Sequence, residues 1–239
     1  MTCKVGGGVL RKHQALVRLL ARLLRAAGHQ ILEEAWEPRW DRPVLDRGGN
    51  QRLDQDGNPV WKRARLDSKL MAPPEEPLVY GDVVVSHPGA PSNARDAAAE
   101  DGATALKAAH RKKARYPPED VPGARLVAFS VETGGRWDDD ALDFLRKAAG
   151  RAAQRHPGLA SLEEGGSSAV FTSWLRQLSC ALQKANVASL RGAAAGGARA
   201  GRGAHNAPRA GEEAGEEGDD WLLEQVEELL VRAGGGAGW

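Results

Sequence analysis

The sequence predicts one α/β layered domain, and three of its features lead there. Two short, nearly unbroken β-branched runs at residues 78–85 and 125–132 read as buried strands. The stretch between them is Ala-rich and helical, which gives the strand, helix, strand order of a parallel crossover. Amphipathic helical stretches flank this unit on both sides, so helices are available to cover a sheet.

Residues 1–9 are expected to be disordered and the folded domain to occupy 10–190. Leu16, Leu20, Leu23 and Ala27 recur at helical spacing before Gly28, a natural stop, so a core-covering helix is expected there. Arg11, Arg18, Arg22 and Arg25 line its other face in a stretch without acids, which resembles a mitochondrial transit peptide; the apolar stripe favours the core helix. Residues 31–40 read as a strand or the approach to one. Turn-forming clusters at 46–50 and 54–59 make 43–59 a hairpin or long loop, with Val60 and Trp61 entering a strand. A helix over 91–116 has Ser92 as its expected N-cap and Pro117-Pro118 as its stop. Helices are expected again at 138–156 and 168–190, the second amphipathic through Phe171, Trp174, Leu175, Leu178 and Leu182. Residues 191–218 lack the apolar surface that offsets ordering entropy and are expected to be a disordered low-complexity tail. A short amphipathic helix at 221–232 is expected within 219–239.

Composition narrows the function. With 239 residues but only three Phe and two Tyr, the chain can bury one sizeable core rather than two. A net charge of +1 excludes a global positive field, so any nucleic-acid contact must come from local patches. Such patches are Lys62, Arg63 and Arg65, the run 110–115, and the acid-free stretch with Arg191, Arg199, Arg202 and Arg209. Cys3 and Cys180 are too few and too far apart for a disulfide framework or a zinc site, which fits a reducing compartment. No apolar run approaches the roughly 18 residues that cross a bilayer. A soluble protein of the nucleus or cytoplasm is expected.

The chemistry-bearing residues are Asp67 and Asp82. Asp82 interrupts an otherwise apolar strand, where an unpaired carboxylate costs on the order of several kcal/mol unless it is used. Two carboxylates at one sheet edge are what Mg²⁺ requires, with Mn²⁺ as a substitute, because the ion shares its coordination with water and a substrate phosphate. Along the following helix Ala105, Ala108, Ala109, Lys112 and Tyr116 share a face, which would present Lys112 to the acids; a stripe through Leu106, Ala109, Lys113 and Tyr116 makes Lys113 the alternative. Glu132 is a further ligand or a helix-capping acid, with capping favoured. His13 and His110 have no companions at metal-binding spacing and read as ordinary. Trp61 and Trp174 read as core residues rather than base-stacking platforms.

Arg65-Leu66-Asp67, then Asp82 in an apolar strand, then Lys112-x-x-Arg115-Tyr116 resembles the restriction-enzyme-like endonuclease domain of site-specific non-LTR retrotransposons. Lys12-His13 and Val131-Glu132-Thr133-x-Gly135 also look like features of that family. The resemblance covers roughly residues 10–190 and implies a mixed sheet flanked by helices. It implies a Mg²⁺-dependent nuclease that nicks target DNA, so that the exposed 3′ end primes reverse transcription. DNA and a reverse transcriptase encoded by the same element are then the partners, with Asp67, Asp82 and Lys112 catalytic and both acids on the metal. Arg65, Arg111, Arg115 and Tyr116 would contact DNA, and Glu33 or Glu34 would complete the metal shell. The sequence departs from the family pattern at Leu66, where Pro is usual, and at Val84, where the wider superfamily has Lys. The competing expectations are a catalytically inactive nucleic-acid-binding remnant and a partner-binding protein acting through its acidic C-terminal helix.

Overall fold

A computed structural model describes residues 8–71, 77–155 and 166–200. The expected disordered N-terminus therefore falls mostly, and the expected helix at 221–232 entirely, outside the described residues. The chain begins with α1 (Gly8–Ala26), followed by β1 (Gln30–Trp36) and the short strands β2 (Arg42–Pro43) and β3 (Trp61–Lys62). Next come β4 (Arg65–Met71), β5 (Leu78–Ser86), α2 (Ala94–Ala99), α3 (Ala103–Arg115), β6 (Ala124–Glu132), α4 (Asp139–Arg155) and α5 (Gly166–Ala200).

Helix α1 ends where the sequence predicts. Gly28 adopts φ +88°, its N–H donates to Arg25 O at 2.8 Å, and the His29 N–H donates to Leu24 O at 3.1 Å. These are the paired bonds of a Schellman cap, which a residue without Cβ makes cheaply.

A four-stranded mixed sheet has the order β1-β4-β5-β6, antiparallel except where β5 and β6 run parallel. Strand alternation divides its side chains between two cores. Val79, Val83, Phe129 and Val131 face a core shared with α1, α4 and α5, into which Leu16, Leu20, Leu23, Leu145, Trp174 and Leu178 also pack. Tyr80 and Leu126 face the other side, in a smaller core with Ala35, Trp40, Leu66, Tyr116 and Val121. Trp40 braces that core, edge-on to Tyr80 at 5.0 Å and 5.4 Å from Tyr116, with its indole N–H donating to Pro117 O at 2.8 Å. Helix α3 lies over this face, and Ser130 Oγ donates to Ala105 O at 2.7 Å.

Four expectations are corrected. The single helix over 91–116 is two, because Gly102 adopts φ +82° and breaks the run. Asn93, not Ser92, stands at the start of α2, and no side chain caps it. The N-terminus of α3 is instead capped from across the fold, where Glu132 of β6 accepts the Thr104 N–H at 3.2 Å and the Thr104 hydroxyl at 2.7 Å. Helix α5 continues to Ala200, past the expected end at residue 190 and into the segment expected to be disordered. Five alanines within 191–200 favour helix intrinsically, against Gly192, Gly196 and Gly197. Trp174 is a core residue as expected, but Trp61 is 54% exposed.

Gly81 is where the β4–β5 pair is tightest. A Cβ there would collide with Ser68 Oγ and lie 2.9 Å from Phe129 Cε2. Gly81→Ala is expected to destabilise the domain by about 1–3 kcal/mol through overpacking, read as a fall in the urea midpoint at unchanged slope.

Candidate metal centre

The site forms where two regular ladders fail together. Ser68 pairs with Gly81 at the end of the β4–β5 ladder, and one further step would set Asp67 opposite Asp82, but the strands part there. On the other side of β4, Glu33 pairs with Ser68 and Ala35 with Leu66, leaving Glu34 and Asp67 unmatched. Glu34 sits at φ +52°, a left-handed conformation unusual for a residue with a Cβ. Leu66 belongs to the α3-side core and Leu70 to the α1-side core, although side chains four residues apart on a regular strand face the same way. Strand β4 therefore rolls over at Asp67, and the rolled edge brings its carboxylate within reach of β5 and of α1.

Asp67 Oδ2 accepts the Val83 N–H at 2.6 Å, replacing the lost ladder bond, and lies 3.0 Å from His13 Nε2 of α1. Asp82 faces α3 and is only 3% exposed. Lys112 of α3 brings its Nζ to 2.5 Å from Asp82 Oδ2. The contact is a close ion pair, but its direction is poor for a hydrogen bond, and Asp82 Oδ2 has no aligned donor. Its charge is answered while its acceptor capacity is left over. Lys112 Nζ also lies 5.9 Å from the ring centre of Tyr116, which helps hold the side chain over the acids.

Helix faces explain why α1 and α3 both reach this point. Ala105 and Ala109 are fully buried, and Tyr116 is buried on the same stripe, which turns Lys112 toward the sheet. Lys113 points elsewhere and pairs with Asp140 of α4. His13 lies one turn before Leu16 and Val17 on α1, at the margin of the packed face, and is half-buried.

The two carboxyls have opposite electrostatics. Burial pushes Asp82 up to about 7, against the pull of the Lys112 charge, and the nearby Asp67 adds to the rise. Burial also works upward on Asp67, but hydrogen bonds from His13 and the Val83 N–H outweigh it and lower its pKa. The Asp67 hydrogen bond raises His13, against desolvation. One acid thus holds its charge while its neighbour takes up a proton readily, as two close carboxylates require.

His13, Asp67 and Asp82 each offer a ligand atom, and these atoms lie within 4.8 Å of one another. Among the described residues this is the group able to hold a metal ion. His13 is the residue sequence reasoning misread: it has no ligand companion nearby in the chain, and its partner lies 54 positions away. Glu33 instead accepts from Arg25 at 2.6 Å on the exposed side of β1, Glu34 is exposed, and Glu132 caps α3, so none of the three joins the cluster. Tyr116, expected at a DNA surface, is 2% exposed and belongs to the smaller core. Arg65 and Arg111 are exposed, and Arg115 lies 5.2 Å from the Tyr116 ring centre.

The chain is a mixed α/β domain with a partly buried His/Asp/Asp cluster where its two central strands, β4 and β5, part, and not at the rim of the sheet. No family model matches the chain, and no curated protein matches it. No helix among the described residues is long and apolar enough to cross a membrane.

The pH dependence has a definite sign. Because the folded pKa of Asp82 lies above its ordinary value of 3.8, folding favours the protonated acid, and stability falls as pH rises from about 4 through about 7. Asp82→Asn is expected to raise the melting temperature at neutral pH and to flatten this fall, as read by calorimetric scans across that range. A divalent cation replaces the proton, so its apparent affinity for the parent protein is expected to rise as pH increases through about 7, by calorimetric titration. Affinity that is flat across that window would remove Asp82 from the site.

Proposed function

We propose that the chain is a Mg²⁺-dependent DNA endonuclease domain of the restriction-enzyme-like type and of retrotransposon origin. The observation that carries this reading is the convergence of Asp67, Asp82 and Lys112, from three separate elements, where the central strands β4 and β5 part. The donor set fits the ion. Two carboxylates offer hard oxygens, and the buried Asp82 Oδ2 has no aligned hydrogen-bond donor of its own. Asp67 and Asp82 would hold Mg²⁺, and Mn²⁺ would accept the same carboxylate oxygens. When bound, the ion would supply Lewis acidity toward a phosphodiester and ease ionisation of an attacking water.

The chain's own side chains account for the rest. His13 holds the Asp67 carboxylate in place through its 3.0 Å contact, much as outer-shell partners orient metal-binding carboxylates. Lys112 offsets the charge of Asp82 at rest, and its ammonium is the cation nearest to where negative charge would grow on a phosphate. Such a group also orients water through its remaining N–H donors. Arg65 and Arg111, both exposed, would supply phosphate contacts that position DNA without reading its sequence, and Arg115 would add a third at the end of α3. A reverse transcriptase of the same element is the partner this reading implies.

Supercoiled plasmid incubated with the full chain and Mg²⁺ is expected to be converted to the nicked form. Asp82→Ala should abolish nicking, and Lys112→Ala should slow it roughly 10²–10³-fold, whereas Lys113→Ala should leave it near the parent rate. Nicking that survives Asp82→Ala would defeat the assignment. No cleavage with either Mg²⁺ or Mn²⁺, together with retained DNA binding, would leave a nucleic-acid-binding domain without catalysis.

A further inference from the structure

Between β1 and β4 the chain projects an arm that takes no part in either core. Its sequence is a repeat: Val44-Leu45-Asp46-Arg47-Gly48-Gly49-Asn50-Gln51 is followed at once by Arg52-Leu53-Asp54-Gln55-Asp56-Gly57-Asn58-Pro59, and Val60-Trp61 begins a third copy. The two complete copies fold alike. Asp46 Oδ1 accepts the N–H groups of Gly48 and Asn50 at 2.8 and 2.9 Å, and Asp54 Oδ1 accepts those of Asp56 and Asn58 at 2.9 and 2.8 Å. Gly49 and Gly57 take φ +83° and +82° at equivalent positions.

The first residues of the three copies close a ring of backbone hydrogen bonds. Val44 N–H donates to Val60 O at 2.9 Å, Arg52 N–H to Val44 O at 2.7 Å, and Val60 N–H to Arg52 O at 2.9 Å. Each ring member is followed by a large apolar residue, and the three are exposed to the same degree: Leu45 56%, Leu53 55% and Trp61 54%. The arm therefore presents three matched apolar prongs on a frame closed by its own hydrogen bonds.

Charge identifies what the prongs meet. Residues 42–62 carry four cations and three acids, and Arg63 and Arg65 follow directly. Asp46 and Asp54 spend their carboxylates on their own turns, while Arg47, Arg52, Lys62 and Arg65 make no ion pair with another described residue. Cations left without a counter-charge beside the prongs suit a phosphate backbone, whose binding rests on Lys and Arg neutralising phosphates. The arm is also tied to the metal centre at both ends. The Arg42 guanidinium donates to Ala114 O at 3.1 Å and to Arg115 O, just beyond Lys112 on α3. On the other side Ala64, held by Asp41 at 2.7 Å, leads straight into the strand that carries Asp67.

We propose that residues 42–62 form a DNA-gripping arm that sets Leu45, Leu53 and Trp61 against the base steps of duplex DNA while Arg47, Arg52 and Lys62 hold the flanking phosphates. The proposal takes its ligand from the endonuclease reading but not its chemistry. Apolar wedges of this kind partly unstack a base step and bend the duplex, which exposes a phosphodiester to a nearby site.

The test uses the full chain carrying Asp82→Ala, in EDTA, so that binding is read whether or not the protein cleaves. A labelled mixed-sequence duplex with 2-aminopurine along its length reports affinity by anisotropy and unstacking by fluorescence. Leu45→Ser/Leu53→Ser/Trp61→Ser is expected to weaken binding at least about tenfold and to lose the 2-aminopurine brightening, with the salt slope unchanged. Arg47→Gln/Arg52→Gln/Lys62→Gln is expected to lower the salt slope by about one for each phosphate no longer neutralised. Circular dichroism and melting of both variants should match the parent, since the substituted side chains are exposed. Parent-like affinity and brightening in the apolar variant would overturn the proposal, as would loss of self-association with duplex binding intact, which would assign the prongs to a second copy of the chain. Absent plasmid nicking with these binding effects present would count against catalysis alone.

Discussion

Asp82 stands in the middle of a strand otherwise made of Leu, Val, Tyr, Gly and Ser, and its charge must be answered there. Lys112 answers it from the opposite layer, at 2.5 Å. The pairing sets the rotation of α3 about its axis, because Ala105, Ala109 and Tyr116 can bury only if Lys112 also turns toward the sheet. Burial of a charge pair is weak evidence of stability, since desolvation opposes the Coulomb attraction, and two well-packed apolar residues would serve a core as well. The geometry is better explained by what it leaves over, a buried carboxylate oxygen beside a second acid and a ring nitrogen.

The rest of the local architecture follows from bringing that second acid close. A regular antiparallel ladder would have kept Asp67 in line with its strand. Here the pairing of β1 with β4 is interrupted at Glu34 and Asp67, and the strands roll there so that residues on either side serve different cores. A left-handed residue with a Cβ is the visible cost of that roll. Its result is that α1 from one face and α3 from the other reach the same point, each contributing one nitrogen. The projecting arm begins and ends beside this roll, so that whatever the arm holds is held close to the cluster of His13, Asp67 and Asp82.

Several parts of this arrangement are legible without coordinates. An acid inside a β-branched strand advertises Asp82, helical periodicity ranks Lys112 above Lys113, and the turn residues mark the arm as a hairpin or loop. The errors share a cause. His13 carries no local sign of its role, because its partner Asp67 reaches it only through the fold. Tyr116 and Trp61 exchange their expected places, since a motif neighbour of a basic run becomes a core ring while an isolated Trp stands on an arm that belongs to neither core. The Asp101-Gly102 pair does signal the break before α3, but the Ala-rich context on both sides outweighs it when helix propensity is summed over the whole stretch.

Periodicity, propensity and turn chemistry act over short spans, and from them most of the order of strands and helices, the apolar faces they bury and the chemical character of the residues at stake can be read directly. Which of those residues meet is settled only by packing. Side chains from α1, β4, β5 and α3 come together where two central strands part and two layers pack over them, and contact between distant segments is a property of the assembled core that no local window of sequence encodes.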